Sequence, residues 1–239
     1  MLNGRVIILL AAPIVLLLTL DTRRDPEDLL QAARDYVEGW YAGDAERVGR
    51  VLHPAFVRRI AAVTTSDEDF FLETDRDALL ANARRGGDSA TPEDEREIDI
   101  AVLDRARTTA VIRIDSAYYT EYLSLACLRG QWQVVHVLWE NVPNDRIAIA
   151  PEPRVLASYA GRYRHDSGVE YEVVVEGDRL FIDPPHEPRS EFVPESETEF
   201  FTQDFKSGMT FVRDEKGVAT ALVIHQRGRD FRMERVPPD

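Results

Sequence analysis

The sequence predicts two folds in series: an α+β unit of helices followed by antiparallel strands, and then an all-β antiparallel barrel of about eight strands. Three observations carry this reading. Apolar residues recur at helical spacing between residues 25 and 83, alternating strand patterns fill most of the chain after residue 98, and a proline-rich stretch (143–153, PNDRIAIAPEP) separates two groups of strands. Length agrees, since 239 residues allow one large domain or two of ordinary size.

The first twenty residues stand apart. Residues 1–5 carry one positive charge, and Val6 to Leu20 hold none, before Asp21 opens a charged region. A basic start, an apolar stretch and an abrupt polar boundary describe an export signal. As a helix the stretch would span about 22 Å, short of a bilayer core of about 30 Å. No Ala-x-Ala triplet precedes Asp21, so residues 1–22 are expected to be either a signal peptide or an uncleaved anchor formed by residues 6–20. The expected location is therefore periplasmic, secreted or membrane-anchored.

From Asp25 the pattern is helical. Asp25 is placed to cap, Pro26 suits the first helical position, and Glu27 and Asp28 face the positive end of the dipole. Leu29, Ala33, Tyr36, Val37, Trp40 and Tyr41 form one apolar face. Gly43-Asp44 closes this helix, and Asp44 caps a short second one that His53-Pro54 stops. A third helix is expected over 75–83 with Thr74 as its cap, followed by a polar loop over 86–97. Strands follow at 98–103, 109–115, 118–128 and 131–141, the last two joined by Arg129-Gly130. Residues 142–154 are read as a linker between a first domain over 25–141 and a second over 155–236. In the second, eight short alternating runs lie near 161–164, 171–176, 179–183, 189–194, 199–202, 209–213, 218–226 and 229–235. Closing such strands into a barrel removes exposed edges.

Composition narrows the function classes. The hydrophobic fraction is 44% and the charged fraction 30%, which excludes general disorder and a multi-span membrane protein. The net charge of −14 is spread along the chain, with −9 over 21–150 and −6 over 151–239. Both halves repel a phosphate backbone and an anionic lipid surface, so no nucleic-acid partner is expected, and membrane contact only through the N-terminal segment. Cys127 is the single cysteine, in an apolar run, and reads as a small buried hydrophobe. No cysteine metal cluster is possible, and the five histidines form no helical His-x-x-x-His pair, so neither metal nor cofactor is expected.

Two stretches resemble known families. The run from Tyr36 to Pro54, with its Gly39-Trp40-Tyr41-Ala42-Gly43-Asp44 segment and His53-Pro54, resembles the opening of the NTF2-like superfamily, in particular its lumazine-binding branch. Residues 74–80, 121–125 and 130–134 fall where that family has its third helix and final hairpin. The resemblance spans about 25–141. It implies a cone in which a curved antiparallel sheet wraps a long helix around a pocket, and in this superfamily the sheet's outer face often forms homodimers. It does not fix function, because the superfamily includes isomerases, hydratases, binding proteins and assembly modules. The second half, from Tyr159-Ala-Gly-Arg-Tyr163 to Leu222–Gly228, resembles the lipocalin-like accessory barrel appended to serine peptidases of the β-lactamase type. No Ser-x-x-Lys occurs in the chain, so peptidase activity does not carry over.

If the cone forms, strand parity assigns side chains to its concave face. Tyr119, Glu121, Leu123 and Leu125 share one face of their strand, and Trp132, Val134, His136 and Leu138 share one face of the next. Glu121 and His136 are then the ionisable residues in two apolar-aromatic rows, placed for proton transfer as in an isomerase or lyase. The bland reading makes one or both structural, and a β-bulge would flip either parity. Tyr36, Trp40 and Tyr119 complete the candidate ligand-binding set, although aromatics at helical spacing more often pack as core. Two functions stand side by side: an exported binding or accessory protein that holds a small apolar or aromatic ligand in the cone, and a small-molecule isomerase or lyase running on Glu121 and His136. Whether the chain is an enzyme stays open on sequence alone.

Overall fold

The computed structural model describes residues 26–63, 69–150, 153–185 and 188–237. The expected signal or anchor over 1–22 lies outside the described residues. Helix α1 (Pro26–Ala42) forms where the apolar spacing places it, burying Leu29, Ala33, Tyr36, Val37 and Tyr41. Helix α2 (Ala45–Val51) starts at Asp44, whose side chain accepts from the Arg47 amide at 2.9 Å. Helix α3 (Arg76–Arg84) is capped by Asp75, which accepts from the Ala78 amide at 2.8 Å. The cap is thus one residue later than Thr74, because a carboxylate accepts more strongly than a hydroxyl.

Two strands precede α3 that the sequence reading did not foresee: β1 (Leu52–Val63) and β2 (Asp69–Asp75). Pro54 and the adjacent Arg58-Arg59 break the alternation of β1. It lies at an inner position only because tertiary pairing supplies its ladder. The four expected strands follow as β3 (Asp99–Arg105), β4 (Thr109–Asp115), β5 (Tyr119–Leu128) and β6 (Gln131–Asn141). The sheet runs β2-β1-β6-β5-β4-β3, antiparallel except for the parallel pair β1–β6. It packs on α1, with Ile112, Ile114, Leu123, Leu125 and Val137 buried against the helix's apolar face.

One irregularity decides what the concave face holds. Ser124 pairs with His136 and Leu125 with Val134, so Val135 is an extra residue on β6. Before the bulge, Trp132 and Val134 point into the cone; after it, Val137 is buried and Leu138 is exposed. The parity that put His136 and Leu138 on the inner face therefore reverses, and both lie on the outer face.

The second half closes into the expected eight-stranded barrel: β7 (Gly161–His165), β8 (Glu170–Glu176), β9 (Arg179–Asp183), β10 (Ser190–Pro194), β11 (Glu199–Phe201), β12 (Ser207–Arg213), β13 (Ala219–Gln226) and β14 (Arg229–Arg235). All neighbours are antiparallel, and β14 pairs with β7. Between the halves, helix α4 (Pro153–Tyr159) occupies the end of the stretch read as linker and the start of the stretch read as barrel. Its Leu156 and Tyr159 are buried in the barrel core, and the Tyr159 ring stacks on Phe211 at 3.8 Å. The Arg235 guanidinium donates to the Ser158 and Ala160 carbonyls, holding the C-terminal end of α4. One end of the barrel is thereby plugged.

Candidate functional site

The concave face of the cone gathers a cluster from four elements. Helix α1 supplies Tyr36 and Trp40, β1 supplies Arg58, β5 supplies Tyr119 and Glu121, and β6 supplies Trp139. Glu121 is 4% and Arg58 8% exposed, so both charges are withdrawn from water. Oε1 of Glu121 accepts from the Tyr36 hydroxyl at 2.8 Å and from Arg58 Nε at 3.1 Å. The Arg58 guanidinium lies 4.0 Å from the Trp139 ring centre, 5.2 Å from Tyr119 and 6.0 Å from Trp40. A planar cation among aromatic faces is favourable, and more so where it is desolvated.

The electrostatics follow from burial and from this pairing. Burial raises the Tyr36 pKa well above that of an ordinary phenol, and the neighbouring Glu121 charge adds to it. Tyr119 is raised for the same first reason. For Arg58, burial works against the charged form, but Glu121, Tyr36 and Tyr119 more than offset it, so its pKa stands above the ordinary value. The result is a fixed ion pair with two protonated phenols beside it.

A second layer closes over the cluster. Asp88, 1% exposed in the loop after α3, accepts from Trp40 Nε1 at 2.8 Å. The turn between β13 and β14 reaches across from the barrel, placing Arg227 Nη1 3.8 Å from Asp88 and its guanidinium 5.3 Å from the Tyr119 ring. Beside this contact a cleft of about 570 Å³ runs between the cone rim, at Glu97 and Tyr118, and the barrel, at Lys206, His225 and Arg229.

Of the residues singled out from sequence, Tyr36, Trp40, Tyr119 and Glu121 come together, and His136 does not. His136 sits outside, half-buried, facing the Arg59 and Glu73 side chains; burial first, then Arg59, lowers its pKa. The bulge at Val135 is the physical reason, and it removes the Glu121–His136 proton-transfer pair. Four residues of the cluster escaped the sequence reading. Arg58 lies on the unforeseen β1, Trp139 was assigned the wrong face by the same bulge, and Asp88 and Arg227 lie in loops. A signal did exist for Arg58: Phe56, Arg58 and Ile60 recur at strand spacing. Among the described residues no group of three metal-ligating side chains assembles.

Residues 24–140 match the model of the family described as "Putative lumazine-binding". The match falls on the cone. Residues 145–235 match a family described as a domain of unknown function (DUF3471), and no curated protein matches the chain. Solved structures similar to the N-terminal half include an NTF2-like protein of unknown function from Silicibacter pomeroyi DSS-3. It has 16% identity and a TM-score of 0.39, and the match covers 48% of this chain and 94% of that one. Another, from Shewanella baltica OS155, has 17% identity and a TM-score of 0.40, covering 49% and 94%. A ketosteroid isomerase-like protein from Erwinia carotovora atroseptica has 14% identity and a TM-score of 0.32, covering 49% and 96%. None of these lends a residue role to the cone of this chain.

Proposed function

We propose that the chain is a small-molecule-binding or accessory protein whose recognition surface is the Trp40–Arg58–Tyr119–Trp139 cluster of the cone. The observation that carries this reading is the Arg58 guanidinium, fixed by Glu121 and flanked by three aromatic rings. Flat rings around a planar cation suit a flat, electron-rich ligand, and the name of the matching family suggests a bicyclic heterocycle such as lumazine as the first one to try. Glu121 supports a binding role over an acid–base one, because Arg58 and Tyr36 both direct their donors at its Oε1 and its sequence-assigned partner faces the other way. Export belongs to the same proposal and rests on Arg5 followed by the uncharged run to Leu20.

The test is a fluorescence titration of the full chain with lumazine and related heterocycles, read at Trp40 and Trp139. Saturable quenching at one ligand per chain, lost in Trp139→Leu, is the expected result. Quenching that never saturates, or that survives in Trp139→Leu, rejects the cone as the binding site. Cell fractionation tests export separately: intact Met1 on soluble cytoplasmic protein rejects it.

A further inference from the structure

The outer face of the barrel carries an ordered group of three side chains, apart from the cone cluster. Met209 and Phe211 of β12, Ile224 of β13 and Met233 of β14 point into the barrel core, so alternation turns Thr210, His225 and Asp230 outward. Register brings the three together. Asp230 is the cross-strand partner of His225, and Thr210 lies diagonally from it, since Gly208 is the residue directly opposite. Nδ1 of His225 is 2.7 Å from Asp230 Oδ1, and Nε2 is 2.9 Å from Thr210 Oγ1. An ionised carboxylate only accepts, so the Nδ1 proton belongs to the first bond, and the neutral imidazole accepts from the threonine hydroxyl at Nε2. Hydroxyl, imidazole and carboxylate thus stand in the order that activates a nucleophile.

The surroundings give a substrate somewhere to sit. The His225 side chain is 42% exposed, and His225 and Asp230 line the cleft of about 570 Å³ between barrel and cone. The cleft's walls carry both signs of charge, with Lys206 and Arg229 on the barrel and Glu95 and Glu97 on the cone rim. Such walls suit a small polar molecule over an apolar one, which would leave them unpaired. Gly208, two positions from Thr210 on the same face, has no side chain, and Arg146 uses the space. Its Nη1 stands 3.3 Å from where a Cβ would be, and it donates to Glu195 at 3.2 Å. A held cation over the residue opposite His225 is placed to offset a developing oxyanion.

We infer that Thr210, His225 and Asp230 form a hydrolytic site for small polar carboxylic esters, a function separate from ligand binding in the cone. The Thr210 oxygen bonds to the ester carbonyl carbon and passes its proton to His225 Nε2, while the carbonyl electron pair moves onto the oxygen that Arg146 offsets. Collapse breaks the bond to the alcohol, which leaves with that proton, and the acyl group stays on Thr210. Water then attacks the acyl-threonine with His225 as base, releasing the acid and returning the proton to Thr210. Asp230 is a positioning residue that fixes the imidazole tautomer and orientation.

The test is hydrolysis of p-nitrophenyl acetate by the full chain, with mass spectrometry of acid-quenched protein. Saturable hydrolysis with acetyl on Thr210 is expected, falling by about a hundredfold or more in Thr210→Val and His225→Gln. Thr210→Ser keeps the hydroxyl and should stay within about tenfold of the wild type. Asp230→Asn should lower kcat by about tenfold or more at unchanged KM, a split that a purely structural carboxylate would not give. His165→Gln, outside the group, should change nothing. Hydrolysis no faster than with free imidazole at equal concentration, a rate that never saturates, or activity that survives Thr210→Val overturns the proposal. Acetyl absent from Thr210 in the wild type overturns it whatever the variants do.

Discussion

Arg227 of the barrel and Asp88 of the cone lie 3.8 Å apart, the arginine 40% exposed at its side chain and the aspartate 2%. The pair joins the two halves directly above Trp40 and Tyr119. What brings it together is the next residue. Gly228 has φ +72°, and a Cβ there would stand 2.5 Å from the Ala90 carbonyl oxygen, so a side chain is opposed both by its own backbone and by the loop it touches. Gly228→Ala is expected to lift the turn off the cone, shifting Trp40 fluorescence and costing about 1–3 kcal/mol. Arg227→Gln keeps the turn in place and removes a mostly wet charge, for about 0–1 kcal/mol. Urea titrations read by fluorescence check both, and equal effects from the two substitutions contradict the assignment.

Glu121 and Arg58 should behave as a unit. Replacing one partner of a buried ion pair strands the other charge, so Glu121→Gln is expected to destabilise the cone by about 3–5 kcal/mol. Glu121→Leu combined with Arg58→Met removes both charges and should cost far less than the sum of the single changes. Midpoints of denaturant unfolding give the cycle. A loss below about 1 kcal/mol for Glu121→Gln would place the carboxylate in water, against its 4% exposure.

Much of this architecture is legible in local pattern. Four barrel or cone strands, 109–115, 131–141, 179–183 and 229–235, begin and end where alternation and turn residues put them, because period-2 burial and Gly-containing turns are local signals. The losses are equally physical. β1 carries Pro54 and two arginines, and its strand character comes from β2 and β6, far away in sequence. The Val135 bulge has no marker residue, yet it alone turns His136 outward and Trp139 inward. Arg58 became legible as a site residue only with Glu121 beside it, 63 positions along the chain. Local chemistry thus reveals elements, while the site depends on register and on pairs that register creates.

Helix α4 predicts how the barrel can be cut from the chain. Tyr159 is fully buried, stacks on Phe211, donates its hydroxyl to the Glu197 carbonyl and accepts from Arg213, while its own carbonyl accepts from Tyr163. A fragment over 153–236 is therefore expected to fold cooperatively, and one over 161–236 to lose much of its stability. Truncating a large buried ring costs about 3–5 kcal/mol, so Tyr159→Ala should reproduce most of that loss. Thermal unfolding of the two fragments and the variant checks this, as does soluble expression of 25–141 alone. Equal stability with and without 153–160 would mean that α4 rests on the barrel without filling it.

His136 yields the last prediction, through pH. On the outer face it is half-buried between Arg59 and Glu73, and its folded pKa is lowered, chiefly by burial and then by the Arg59 charge, with Glu73 opposing. In the unfolded chain it titrates near the ordinary value of about 6.5. Between the folded and unfolded values the unfolded state therefore binds more protons, and stability rises with pH. The contribution of this imidazole is complete above the unfolded value and is lost as pH falls below about 6.5 and through the folded pKa. His136→Gln removes that part alone, since no other ionisable group is changed. The variant's unfolding midpoint should accordingly fall less steeply than the wild type's as pH is lowered from 8 to 5.5, with Trp40 fluorescence unchanged. A steeper fall in the variant would mean that His136 is charged in the folded state and held by Glu73, and a disturbed Trp40 signal would bring it back to the inner face.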